Sequence, residues 1–377
     1  MKKEQRLGLR TWTEIDKKSV AHNYSVFRNL ISKKTKLMGV VKSNAYGHNL
    51  VEFAKELEKL GADYLAVDSV VEGIALRREG IKKPILVLGY TLPEMIEKAV
   101  ENDLEITVSN FGYFAEIKKI NSKSPVKIHI KTDTGMHRSG FQDRDAKKVL
   151  VEIKNPKVKV IGLYTHFAAA KNPAFPKDTK GQIDLFNKWR ETFDMAGIKS
   201  ICHACATSGT ILFPEAHFDM VRIGIGLYGI WPSRETEAYS NGKFELKPVL
   251  GWKTVIGEIN NIKAGERIGY DFTEKLLRDS KVGILPIGYW HGYPRALSAI
   301  GQVLVNGKRA KVLGRICMDI IMIDVTDIKN TKVGDEVTII GSAGKENISI
   351  DSVSTLLDGS SYEMVTRINP LIKRFYL

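Results

Sequence analysis

Disulfide bonds have little to be built from in this chain. Three cysteines occur in 377 residues, Cys202, Cys205 and Cys317, and so sparse and odd a set argues against a disulfide framework. Cys202-His203-Ala204-Cys205 has C-x-x-C spacing, but there is no second pair for zinc and Ala206 stands where a haem motif needs histidine. The pattern reads as packing, and no metal is expected. Apolar runs long enough to span a bilayer are also missing. The charged opening Met1-Lys2-Lys3-Glu4-Gln5-Arg6 leads into no apolar core, so the expectation is no secretory signal and a cytoplasmic location. Acidic residues are the minority charge, 43 against 57 Lys and Arg, giving a formal net charge of +14. The lysines are scattered over helix-like segments and no nucleic-acid motif accompanies them. They read as solvated faces, with no nucleic-acid partner and no membrane partner expected. A cationic surface still favours an anionic substrate or a phosphate.

What is present is a sizeable core. The apolar fraction is 43% and the charged fraction 27%, over a length that suggests two domains. Strand-like runs recur at Leu37–Val41, Tyr64–Val67, Ile85–Leu88, Leu104–Val108, Val126–Ile130, Val158–Leu163, Ser200–His203 and Met220–Ile223. Helix-like segments such as Val70–Glu79 and Pro93–Glu101 lie between them. Alternation repeated eight times predicts a (β/α)8 TIM barrel over residues 10–243. After Gly229 the character changes. Trp231–Leu246 is polar and reads as a connection. Beyond it come Leu250–Ile262, Val282–Leu285, Gln302–Val305, Arg309–Leu313, Ile320–Val325 and Val337–Ile340, with glycine turns between them. A mainly β domain is expected over 244–377, with residues 1–9 packing against it.

The stretch Leu37-Met38-Gly39-Val40-Val41-Lys42-Ser43-Asn44-Ala45-Tyr46-Gly47-His48 organises the rest. An apolar strand runs into one lysine and breaks at Ser43-Asn44. A lysine at such a mouth lacks full hydration, which lowers its pKa and frees the amine to attack a carbonyl. Most lysines are simply solvated, so position must decide. Barrel chemistry gathers at strand C-termini, and Lys42, Lys131, Thr165-His166 and Arg222 all fall at or near such ends. A lone histidine is more often structural, but one converging with three other groups is a site candidate. Gly224, Gly226 and Gly229 spell G-x-G-x-x-G, yet Trp231-Pro232 interrupts the helix that a dinucleotide fold requires. The glycines can instead bring backbone N–H groups close to a phosphate.

The string Val40-Val41-Lys42-x-Asn44-Ala45-Tyr46-Gly47-His48 resembles the cofactor-lysine motif of bacterial alanine racemases, where the lysine holds pyridoxal 5'-phosphate as a Schiff base. Further blocks carry the resemblance over nearly the whole chain: Lys131-Thr132-Asp133-Thr134-Gly135-Met136-His137-Arg138, Gly162–Ala168, Met220–Gly229, Gly265–Tyr270, Ile287-Gly288-Tyr289, Gly314–Asp319 and Tyr362-Glu363. The resemblance implies an alanine racemase that interconverts L- and D-alanine by two bases, Lys42 and Tyr270, and supplies D-alanine for peptidoglycan. It implies Arg222 facing the pyridine nitrogen, His166 beside the tyrosine, and Tyr46, Thr207, Gly224, Ile225 and Tyr362 at the phosphate. Arg138 and Met318 would meet the substrate. Lys131, often carbamylated in the family, Tyr289, Cys317 and Asp319 would support them. It implies also a head-to-tail homodimer in which the β domain of one subunit completes the barrel site of the other. Departures from the family pattern are Ala206 for an asparagine, Trp290-His291 for Ala-Asp, and His137 for a glycine. The rivals are a racemase of broader specificity, a fold-related decarboxylase and a non-catalytic carrier of the cofactor. The decarboxylase would pair the ring nitrogen with a carboxylate instead of Arg222, and the carrier would have no β domain.

Overall fold

The computed structural model describes residues 6–377; the opening Met1–Gln5 lies outside the described residues. Strand β1, Thr11–Ile15, precedes eight parallel strands that close on themselves: β2 Lys36–Val40, β3 Tyr64–Val67, β4 Ile85–Val87, β5 Glu105–Val108, β6 Val126–Lys131, β7 Val158–Tyr164, β8 Ile201–His203 and β9 Met220–Ile223. Helices cross over between most of them. The barrel strands are nearly continuous apolar runs because both faces are covered, as parallel strands require. Local signals start the helices. Ser69 Oγ accepts from the Glu72 N–H at 3.3 Å, and Asn110 Oδ1 from the Tyr113 N–H at 3.4 Å. Tyr228 stacks on Phe53 at 4.3 Å between ring centroids and donates to the Val40 carbonyl at 2.9 Å, bracing the end of β2.

The second unit is a sheet of β10 Leu250–Val255, β11 Glu258–Ile262, β14 Ser280–Leu285, β15 Gln302–Val305, β16 Lys308–Leu313, β17 Ile321–Asp324 and β18 Glu336–Ala343, joined by β1 and by β20 Arg374–Tyr376. Its order is β11-β14-β17-β16-β15-β18-β10-β1-β20, with β19 Glu346–Ile348 on β18 and a separate pair β12 Arg267–Ile268 and β13 Glu274–Lys275. The chain is thus a closed (β/α)8 barrel and a mainly β C-terminal unit. One compact unit comprises Val20–Ala45 and Leu50–Lys247; the other takes the N-terminal stretch through Ser19, Tyr46–Asn49 and Pro248–Leu377.

Several details differ from the sequence reading. Residues 10–19, placed there with the barrel, pair through β1 with β10 and β20. The chain's first strand thereby fills a slot in the β sheet, which sequence periodicity alone does not reveal. The run Leu250–Ile262 breaks at Ile256-Gly257 into β10 and β11, which go to different parts of the sheet. The polar connection contains a helix, Arg234–Ser240, started by Ser233, whose hydroxyl accepts from the Thr236 N–H at 3.1 Å. Of the segment 1–9, Arg6 pairs with Glu336 at 3.2 Å and lies over the Trp12 ring. Among the described residues no helix is long and apolar enough to cross a membrane, and no group of three or more His, Cys, Asp or Glu could hold a metal ion.

Candidate functional site

Lys42 opens a turn of unusual hand. Ser43, Asn44, Ala45 and Tyr46 have φ of 55, 56, 51 and 50°, so four consecutive L-residues adopt the left-handed region before Gly47. Each costs roughly 1–2 kcal/mol there, and such strain persists only where surroundings over-determine it. Glu72 does so. Its Oε1 accepts from the Ser43 N–H at 2.7 Å and the Asn44 N–H at 3.4 Å, and its Oε2 accepts from the Asp68 N–H at 2.8 Å. Asn44 Oδ1 in turn accepts from the Leu50 N–H at 2.9 Å, starting the next helix. A strand-end lysine is expected to be a poorly hydrated amine. Lys42 is instead half-exposed, 37% at the side chain, and its Nζ pairs with Asp68 Oδ1 at 3.3 Å. Opposite charge, more than burial, sets its surroundings. Neither Asp68 nor Glu72 was singled out from sequence, although Ser69-Val70-Val71-Glu72 has the spacing of a helix-start capping box.

Arg222 lies inside the barrel on β9 and is 3% exposed. Its Nη2 donates to the carbonyls of Thr165 and Ala204, both at 2.8 Å, and to His166 Nδ1 at 3.2 Å; its Nη1 donates to His203 Nδ1 at 2.8 Å. Burial pulls the guanidinium down to about 10. Burial, then the charges of Arg222, Arg138, Lys131 and Lys42, depress His166 to about 3. His166 is therefore neutral: a hydrogen-bonding group rather than a cation. Lys131, the last residue of β6, is lowered to about 8 by burial, Arg138 and Arg222, and its Nζ donates to Ser139 Oγ at 2.7 Å. Arg138 is exposed in the loop after β6. Asp133 shapes that loop by accepting from the Gly135 and His137 N–H groups, both at 3.0 Å, with His137 at φ 54°. Thr207, where Ala206 replaces the usual amide, accepts weakly from the N–H groups of Gly224 and Gly226 at 3.3 and 3.4 Å. A Cβ on Gly226 would lie 2.4 Å from Phe27 and 2.8 Å from Thr207, so this backbone seat excludes any larger residue. Ile225 between them is buried.

The β unit holds its own candidates. The Tyr46 and Tyr362 rings lie 6.2 Å apart. Burial pushes the Tyr46 phenol up to about 12 and raises that of Tyr362 too, so both remain donors. Tyr270 is 67% exposed in a turn with Gly269 at φ 77° and Asp271 at φ 57°, and Asp271 Oδ2 pairs with Arg315 at 2.5 Å. The Tyr289 and Cys317–Asp319 segments adjoin: the Tyr289 and Trp290 N–H groups donate to the Cys317 and Met318 carbonyls at 3.1 and 3.0 Å. Gly288 permits this approach, since a Cβ there would meet the Cys317 oxygen at 2.2 Å. His291 is buried, with Nδ1 accepting from the Gly288 N–H at 3.1 Å and lying 3.8 Å from Asp319. Met318 is 55% exposed and Trp290 58%.

A closed (β/α)8 barrel carried in one chain with a mainly β unit is the architecture of the barrel-type racemases. More narrowly, the chain belongs to the alanine racemase family: residues 15–232 match the model "Alanine racemase, N-terminal domain" and residues 249–376 "Alanine racemase, C-terminal domain". It is 40% identical over 373 residues to the alanine racemase of Methanococcus maripaludis, covering 97% of this chain and 98% of that one. Identity to the alanine racemase of Leptospira interrogans is 37% over 370 residues, with 97% and 95% covered. Among solved structures it resembles alanine racemase of Clostridium difficile 630, with TM-score 0.92, 32% identity and 98% and 96% of the two chains covered. The structure of alanine racemase from Bacillus anthracis with bound L-Ala-P matches with TM-score 0.92 and 33% identity, covering 98% and 95%.

Proposed function

We propose that the chain is an alanine racemase using pyridoxal phosphate held by Lys42, that it acts in the cytoplasm to supply D-alanine for peptidoglycan, and that it works as a homodimer with shared sites. The observation that carries the reading is the presence in one barrel of the left-handed Lys42 turn and of a buried Arg222 held by His203 and the Thr165 carbonyl. The donor set fits the cofactor. Thr207 and the backbone at Gly224, Ile225 and Gly226 suit a phosphate, and the protonated phenols of Tyr46 and Tyr362 are donors of the kind that a phosphate accepts from. Arg222 offers only hydrogens, and its guanidinium keeps its proton, so it suits an unprotonated ring nitrogen and not the carboxylate pairing of a decarboxylase.

When bound, the cofactor supplies the conjugated ring that spreads negative charge away from the substrate Cα. The protein does the rest. Lys42 Nζ moves the Cα proton on the D face, and Tyr270 Oη moves it on the L face. Asp68 orients the lysine amine. Neutral His166 orients the tyrosine by hydrogen bonding. Arg138 and Met318 receive the substrate carboxylate. Lys131, lowered to about 8, carries at neutral pH the uncharged fraction that a carbamate needs, and orients Arg138. Tyr289, Cys317 and Asp319 shape the entrance. A chiral assay of purified protein loaded with pyridoxal phosphate tests the reading against L-alanine, L-serine and L-lysine. D-alanine should form fastest. Equal rates on all three point to the broader racemase, and carbon dioxide release without D-amino acid points to the decarboxylase.

A further inference from the structure

A line of polar side chains leads from Arg222 into the barrel interior and ends on a carboxylate. His203 Nδ1 lies 2.8 Å from Arg222 Nη1, His203 Nε2 lies 2.9 Å from His129 Nδ1, and His129 Nε2 lies 2.7 Å from Glu105 Oε2. Exposures are 3% for Arg222, 0% for both histidines and 5% for Glu105, so no solvent competes. The direction of every bond follows from one end. A guanidinium only donates, so His203 Nδ1 accepts and must be bare. Its one proton then sits on Nε2 and is given to His129 Nδ1, which must also be bare. His129 therefore carries its proton on Nε2 and gives it to Glu105. Burial and the Arg222 charge hold His203 well below its ordinary pKa, which agrees with a single proton on that ring.

The surroundings are built for this line. A register shift between β6 and β7 sets His129 opposite Gly162, where a Cβ would lie 2.1 Å from His129 Nδ1. The Tyr164 ring stacks on His203 at 4.8 Å and 2°. Thr107 donates to the Val87 carbonyl at 2.8 Å, which leaves its oxygen to accept from Tyr164 Oη at 2.9 Å. Glu105 opens β5 where an apolar strand residue would otherwise stand. Its acidic group is the one member of the line that can end it without a proton to give away.

We propose that Glu105 is a positioning residue for Arg222: as terminal acceptor of a one-way hydrogen-bond chain, it fixes the tautomers of His129 and His203 and holds the guanidinium in place. The consequence for catalysis rests on the reading of Arg222 as the ring-nitrogen partner, while the chain itself does not. The test is two-bond 15N–1H correlation on histidine-labelled protein, with and without pyridoxal phosphate. In wild type, His129 and His203 should each appear as a single neutral Nε2–H form. Finding His203 with its proton on Nδ1 overturns the proposal outright, whatever any variant does. Glu105→Gln keeps an acceptor oxygen and should preserve both tautomers. Glu105→Leu removes it and should abolish the single-form pattern at His129. A folded Leu variant with the wild-type pattern overturns the proposal, and so does a Gln variant whose tautomers have changed. If the Leu variant does not fold, wild type and Gln decide. A protein with both tautomers in place that fails to racemise alanine refutes the functional reading alone.

Discussion

At the scale of single residues, the proposed chemistry depends most on Tyr270 and His166. If Lys42 and Tyr270 are separate bases, Tyr270→Phe removes one face and spares the other. Racemisation should fall by at least the roughly 10²–10⁴-fold that a positioned acid–base group contributes. Deuterium uptake at Cα, measured on each enantiomer separately, should survive better for D-alanine than for L-alanine. Equal uptake from both at wild-type rates would leave Tyr270 a surface residue. His166 makes a prediction about stability. Its folded-state pKa of about 3 lies below the roughly 6.5 of an unfolded histidine. Below that higher value the unfolded chain takes up a proton that the folded one refuses, so stability falls as pH drops from about 6.5 towards 3 and is unaffected above. His203 is shifted in the same direction. Urea midpoints at acid and neutral pH should therefore differ less in His166→Gln than in wild type; an unchanged difference would mean that His166 already ionises in the fold.

At the scale of elements, the Lys42 turn and its tether to the helix that follows β3 matter most. Glu72 accepts three backbone N–H groups, and hydrogen bonds to a charged group contribute roughly 1.5–3 kcal/mol each when buried. Glu72 is half-exposed and the bond to Asn44 is long, so Glu72→Ala should cost about 2 kcal/mol in urea unfolding. It should also weaken cofactor retention, which Glu72→Gln should partly preserve. An alanine variant of wild-type stability and retention would show that the turn holds itself. The barrel strands were legible because each is a short apolar run between helix formers, and the ends that carry Lys131 and Arg222 followed from that. The left-handed turn was not. Ser43, Ala45 and Tyr46 are residue types with no preference for positive φ, and only tertiary hydrogen bonds impose it. The half-exposed state of Lys42 was missed for a related reason: Asp68 lies 26 residues on, just past the end of β3, and only the parallel pairing of β2 with β3 brings it near. His129 had a usable signal, since strand alternation puts it on the same side as Lys131 two residues later. Glu105 had none, because a carboxylate in a strand reads as solvent-facing until a buried partner is known.

At the scale of the whole molecule, the proposed reaction draws on residues of both units of the chain. The β unit exposes Tyr270, Phe272, Trp290, Met318 and Ile320. Apolar groups of that size left open on adjoining segments mark an interaction surface. The proposed homodimer covers this surface and brings Tyr270 to the partner's barrel. Lys42→Ala and Tyr270→Ala each disable a different contribution, and each homodimer is then inactive at both sites. In a mixture with free subunit exchange, half of the dimers are hybrids and one of the two sites in each hybrid is intact. Activity should therefore recover to roughly one quarter of wild type. The recovery should require exchange, appearing on incubation and not in freshly combined protein that has been kept from dissociating. Hybrid formation is followed independently by mass spectrometry with one subunit isotope-labelled. Hybrids formed in the expected amount but without activity would place Lys42 and Tyr270 in the same subunit's site and refute the shared arrangement.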